Sequence, residues 1–193
     1  IVNADINSAA AIAATKLGGS GTPTSASQFL GGDDAWRDRL TAATAQASTS
    51  GTSIDFTGIP SWVKRITLMF QGVSTSGTNT MLIQIGNGSA TTSGYLGAGG
   101  SVSNGASPST AAFTAGFGIN TGSAANILHG AVKIIRLSSG NYVAEGMLAA
   151  SNTGNLFPVA GSIALGATLD RVRLTTTGGT DTFDAGSVNV IYE

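Results

Sequence analysis

The chain has no cysteine, which excludes disulfides, thiolate nucleophiles and zinc–thiolate sites and leaves burial or association with other chains to stabilise it. Charge is scarce as well. Lys and Arg number 9, Asp and Glu 10, and the net charge is −1 over 193 residues. Charged residues make up 10% of the chain, against about 25% in an ordinary domain. So few cations provide no footprint for nucleic acid or for an anionic membrane surface, and neither is expected as a partner. No apolar run approaches the ~18 residues of a membrane-spanning helix, so membrane insertion is not expected. Residues 1–7 lack the basic-then-apolar order of a signal peptide. A single His rules out a histidine pair for a metal, and no metal or cofactor is expected. What covers the surface instead is Ser, Thr, Asn and part of the 28 Gly. The chain opens at Ile1 rather than Met and is expected to be the C-terminal part of a longer polypeptide.

Residues 1–17 read IVNADINSAAAIAATKL. Asp5 is placed to cap a helix, but Ile6, Ile12 and Leu17 are too sparse for a wide apolar stripe, and isolated helices below about 12–15 residues are marginal in water. A short helical or extended segment that needs partner chains, including copies of itself, is expected there. Residues 18–27, GGSGTPTSAS, have linker composition. FLGGDDAWRDRL, residues 29–40, then gathers Asp33, Asp34, Arg37, Asp38 and Arg39 with Trp36 after a Gly-Gly turn signal.

From about Gly51 onward, short apolar runs are divided by clusters of Gly, Ser, Thr and Asn. Residues 66–70, 81–85, 113–119, 127–137, 142–148, 162–165, 171–176 and 187–192 are strand candidates. In the first, Ile66, Leu68 and Phe70 share one face; in 171–174, Arg171 and Arg173 share the face opposite Val172 and Leu174. Turn signals at 76–79, 139–141 and 178–181 match antiparallel strands joined by hairpins and loops. No helical period occurs beyond Leu40. The expectation is therefore an all-β domain over residues 47–193, an antiparallel β-sandwich of jelly-roll type, preceded by an attachment and oligomerisation segment over residues 1–46. Residues 87–110 stand apart, with Tyr95, Leu96 and Val102 as their few core-type side chains. They read as a long loop, and loops above about 12–15 residues are usually functional or disordered.

Candidates for chemistry are few. His129 lies in an apolar run with no second His and no Cys to activate, and a half-buried His satisfied by backbone is the simpler reading. Glycosidases need two carboxylates about 5–9 Å apart; Asp181 and Asp184 are close in sequence, but they flank a turn-like stretch where Asp bonds its own backbone. Asp33, Asp34 and Asp38 lack the alternating ligands and closing Glu of a calcium loop, and Arg37 and Arg39 make ion pairs the simpler explanation. Gly97-Ala98-Gly99-Gly100 is not a phosphate loop, since no Lys-Ser/Thr follows. No catalytic residue is assigned. Aromatic side chains remain, because sugar rings stack on them. Trp62 and Tyr95 are the candidate ligand contacts, weighed, like Trp36, against the commoner interface or core-edge role of such residues.

The residues of several stretches are familiar as a set. SGTSIDFTGIPSWVKRITLMFQGVSTSGTNTMLIQIGNGSATTSGY, from Ser50 to Tyr95, resembles a domain at the C-termini of tailed-bacteriophage tail-fibre and related virion proteins. LDRVRLTTTGGTDTFDAGSVNVIYE, from Leu169 to Glu193, resembles the terminal segment of the same proteins. Upstream, ADINSAAAIAATKL followed by FLGGDDAW is similar to a motif pair of phage fibre chains, with Asp34 where the pattern usually has Gly. Residues 101–168 match in texture alone. The resemblance implies a virion protein outside the cell, homotrimeric, joined to other virion proteins through its N-terminal segment. Its last domain would be a non-enzymatic tail-fibre tip that binds a host-surface glycan or protein. A capsid decoration or head-fibre protein is the alternative.

Overall fold

The computed structural model describes residues 28–30, 36–38, 40–103 and 105–193. The helix or extended segment expected at 5–17 and the linker after it lie outside the described residues. The chain divides into two compact units, 1–41 and 42–193, with the division a few residues before the expected boundary at 46/47. In the first, β1 (Gln28–Leu30) pairs antiparallel with β2 (Trp36–Asp38).

The second unit is an antiparallel β-sandwich, and no helix occurs among the described residues. Its larger sheet has nine strands. They run in the order β10 (Ser109–Phe113), β9 (Tyr95–Ser101), β14 (Asn155–Ala164), β13 (Asn141–Ala150), β12 (Leu128–Ser138), β6 (Arg65–Thr75), β16 (Phe183–Tyr192) and β3 (Thr41–Ala42), with β4 (Gln46–Ala47) also on β16. The smaller sheet has five, in the order β11 (Phe117–Ile119), β7 (Met81–Asn87), β15 (Arg171–Thr176) and β5 (Ile54–Thr57), with β8 (Ser89–Ala90) on β7.

The alternation read from the sequence is what builds the interior. Ile66, Leu68 and Phe70 of β6 point inward beside Val132 and Ile134 of β12, and Val188 and Val190 of β16 continue the layer. Ile83, Ile85, Val172 and Leu174 of the smaller sheet face them, all fully buried. Residues two apart share a strand face, so each run contributes one apolar side to a common core and one side to the exterior. The turn signals also fall where the strands end. Ser139 and Gly140 join β12 to β13, with Gly140 at φ 75, the left-handed conformation that Gly adopts without penalty.

The expected loop at 87–110 is instead largely sheet. β9 occupies its centre, paired with β14 on one side and β10 on the other. The composition that hides it, YLGAGGS, is also what allows it. A Cβ on Gly99 would run into the carbonyl of Gly118, and one on Gly118 into the ring of Phe113. Strand β11 of the smaller sheet therefore lies directly against β9 and β14 of the larger. The sandwich is closed at this side by backbone contact rather than by a layer of side chains. At the opposite edge of the smaller sheet, β5 meets β4 through a bond from Gln46 Nε2 to the Asp55 carbonyl.

Overpacking a fitted interior costs about 1–3 kcal/mol. Gly118→Ala is expected to lower stability by that amount in urea unfolding, while Ala98→Ser on the exposed face of β9 leaves it within about 0.5 kcal/mol.

Candidate functional site

The β5 side of the sandwich carries a cleft of about 260 Å³. Three separate parts of the chain build it: residues just before and within β4, strand β5, and the end of β16. Phe56, Ile59 and Val190 contribute apolar lining, and Tyr192 an aromatic wall. Thr44, Gln46, Asp55 and Thr57 contribute the polar groups. The amide of Gln46 spans the cleft, its Nε2 donating to the backbone carbonyl of Asp55 at 2.7 Å. Asp55 itself accepts two bonds from Arg173 of the neighbouring β15, Nε at 2.8 Å and Nη2 at 3.1 Å. A carboxylate engaged by both arms of a guanidinium is fixed in place and its charge is balanced. It is also the one carboxylate among the residues lining the cleft, so the pair that glycoside hydrolysis requires does not form there.

Trp62 reaches this site indirectly. It sits half-buried in the turn between β5 and β6, its ring 6.1 Å from that of Tyr192 and inclined by 58°. Both rings pack against the core, so the wall that Tyr192 presents to the cleft is braced by Trp62 from behind. Tyr192 is the residue the sequence reading missed. It closes an alternating run near the C-terminus, where nothing local distinguishes an aromatic facing a cleft from one completing the core.

Tyr95 is not a ligand contact. Its side chain is 0% exposed, because the segment carrying it is a strand inside the sandwich rather than a loop. The ring meets Phe117 edge-on, with centroids 5.0 Å apart. The hydroxyl accepts from the Ile85 N–H at 2.8 Å and lies 3.2 and 3.1 Å from the carbonyls of Ile85 and Thr91, either of which takes its proton. This ties the start of β9 to β7 and to the turn after β8. Burial pushes the phenol up to about 12, against the partial opposition of the Ile85 bond. Tyr142 does related work, its hydroxyl accepting from the buried N–H of Leu169 at 2.9 Å.

The other candidates are occupied by structural contacts. Asp181 accepts from the backbone N–H of Asn79 at 2.8 Å and from its Nδ2 at 2.7 Å, joining the β6–β7 turn to the β15–β16 turn. Asp184 accepts from the hydroxyl of Ser74. The two carboxylates thus brace different neighbours. Asp170 accepts from Arg171 at 2.8 Å and from the Gly88 N–H at 3.1 Å, and the Arg171 bond chiefly holds it below the usual carboxylate range. His129 is half-buried on the outer face of the larger sheet, in register with Gln71 and Ala149. Among the described residues, no group of three His, Cys, Asp or Glu is arranged to hold a metal. Asp33 and Asp34 lie outside the described residues, as do the side chains of Trp36 and Asp38. No family model, curated protein or solved structure matches this chain.

Removing the Tyr95 hydroxyl leaves a buried N–H without its acceptor, which costs about 1–3 kcal/mol. Tyr95→Phe is expected to lose that much in urea unfolding at neutral pH. The phenol also sets a pH dependence. The unfolded chain releases this proton near 10.0 and the folded chain near 12, so the unfolded state binds fewer protons and stability falls as pH rises across that window. Alkaline unfolding should be shallower over the same window in Tyr95→Phe than in the wild type.

Proposed function

We propose that this chain is the C-terminal part of a tailed-bacteriophage tail fibre or related virion protein, whose β-sandwich binds a host-surface glycan or protein without catalysing a reaction. The resemblance of Ser50–Tyr95 and Leu169–Glu193 to such proteins supports the virion part of the reading. The two stretches meet in space at the cleft, which takes Asp55, Phe56, Thr57 and Ile59 from the first and Val190 and Tyr192 from the second.

The cleft is the observation that carries the binding part. An aromatic wall beside an amide, hydroxyls and a charge-balanced carboxylate matches the faces of a sugar, one apolar and the rest ringed with hydroxyls. Its volume of about 260 Å³ falls just under the ~300–1,000 Å³ of pockets that take drug-sized ligands, so it accommodates about one sugar ring. A single ring bound through a few hydrogen bonds gives low affinity. Three linked copies multiply such weak contacts through effective concentration, which fits the homotrimer that the resemblance implies. A capsid decoration or head-fibre role is the second reading, favoured by the wide and sparsely charged face of the larger sheet, where Lys133 and Glu145 pair with each other.

The test is adsorption of the full chain to a panel of bacterial cells and purified surface polysaccharides. Binding to at least one is expected, with Tyr192→Ala weakening it at least about tenfold, the equivalent of 1.4 kcal/mol, at unchanged circular dichroism. No adsorption across the panel would count against the receptor-binding reading. Antibody labelling restricted to capsids of the parent phage would favour the second.

A further inference from the structure

The outer face of the smaller sheet holds a basin beside the cleft. Residues two apart share a strand face, so Leu82 and Gln84 of β7 point outward where Ile83 and Ile85 point into the core. Both are nonetheless buried, Leu82 at 2% and Gln84 at 5% exposure. The chain entering β11 lies close against them. A Cβ on Gly116 would come within 3.2 Å of both side chains, and Gln84 Nε2 donates to the Ala115 carbonyl at 2.8 Å. Leu82 and Gln84 are the floor of a hollow of about 310 Å³ that Thr92, Ala115, Arg173, Thr175 and Thr177 also line.

We infer that this basin is a second sugar subsite, and that the glycan bound at the cleft is an uncharged oligosaccharide long enough to occupy both. The inference rests on the receptor-binding reading above and narrows it from a glycan or protein to this one class of ligand. Continuity is the first support. Asp55, Arg173 and Gln84 stand in one row across β5, β15 and β7. Asp55 lines the cleft, Arg173 lines the basin, and the two are bonded to each other. From Asp55 to Gln84 is two strand spacings, about 10 Å. A ligand lying across this one ion pair reaches both hollows.

Unspent hydrogen-bonding capacity is the second. Arg173 gives the Nε–Nη2 edge of its guanidinium to Asp55, and its Nη1 has no acceptor among the described residues. Gln84 spends its Nε2 on Ala115, and nothing among the described residues bonds its Oε1. A side-chain amide buried to this degree ordinarily has its polar atoms paired. Its Oε1 is also not sealed from solvent, since the one sealed and unpartnered side-chain polar atom among the described residues is Thr176 Oγ1. The exposed hydroxyls of Thr92 and Thr177 are uncommitted as well. The basin thus offers N–H donors, an amide acceptor and hydroxyls together. A sugar hydroxyl both donates and accepts and can use all of them, whereas a carboxylate only accepts and an ammonium only donates.

Charge is the third. Asp55 balances Arg173, so the joined site carries no net charge at its centre. A carboxylate or phosphate brought to the spare N–H groups of Arg173 would meet the like charge of Asp55 beside it. An uncharged ring takes the same N–H groups without that repulsion.

The probes are the purified surface polysaccharides that adsorb the full chain, cut by partial hydrolysis into single rings and short oligomers and titrated against it by ligand-observed NMR. The wild type is expected to bind oligomers at least about tenfold tighter than single rings, the equivalent of 1.4 kcal/mol. Thr92→Phe and Thr177→Phe, at exposed positions on the rim, fill the basin. Each should lower oligomer affinity nearly to the single-ring value while leaving single-ring binding and the circular dichroism spectrum unchanged. Tyr192→Ala should weaken both probes. Equal affinity of the wild type for the two probes overturns the inference. So does an oligomer affinity that both rim variants leave intact, or one that falls steeply with added salt, the mark of a charged ligand. In each of these cases the cleft at Tyr192 keeps its role. Adsorption to cells without binding to any purified polysaccharide overturns this inference alone and leaves the receptor-binding reading to a protein partner. Adsorption to neither overturns both.

Discussion

The closeness of backbone to backbone where β11 crosses β9 and β14 is the constraint on which the shape of this domain depends. Gly99 and Gly118 have no room for a Cβ, so the smaller sheet is pulled down onto the larger at that side and Phe113 and Phe117 fill what little space is left. Tyr95 reinforces the closure by bonding β7 through its hydroxyl. At the other side a side-chain bond links the sheets, from Gln46 of β4 to the Asp55 carbonyl of β5. The cleft lies at that side, between β4, β5 and the end of β16.

The low charge of the chain has a consistent structural counterpart. The carboxylates singled out as chemical candidates in the described part, Asp181 and Asp184, are bonded to turns and strands, and Asp55 and Asp170 are matched by arginines. Their energetic value is that of hydrogen bonds which fix loops, since surface ion pairs contribute little more than about 1 kcal/mol each. What remains for recognition is uncharged: aromatic rings, amides, hydroxyls and flat apolar sheet. Such surfaces are consistent with the proposed binding of a neutral polyol at the cleft.

The cleft and the outer face of the larger sheet also differ in how they are built. The cleft is made of side chains held by specific partners, Gln46 by a carbonyl of β5, Asp55 by Arg173 and Tyr192 by Trp62, and it is small. The outer face has few such partners, and its exposed side chains include Leu96, Met147 and Leu156.

By itself the sequence determined the all-β class, the strands whose apolar residues alternate, and the turns between them. Ile66, Leu68 and Phe70, the arginines of β15, and the turns at 76–79, 139–141 and 178–181 were legible because period-two alternation and turn chemistry are local properties of the chain. The tertiary structure alone decided that YLGAGGS is a strand, that Pro158 lies within a sheet, and that Tyr95 is buried. In each case the deciding fact is a neighbour outside the local stretch: Gly118 over Gly99, Gly100 opposite Pro158, Phe117 edge-on to Tyr95. The cleft was illegible for the same reason, since Gln46, Asp55 and Tyr192 come together only when β4 and β5 meet the last strand. Local patterning names which residues leave water, whereas long-range register decides which surfaces meet and which remain open.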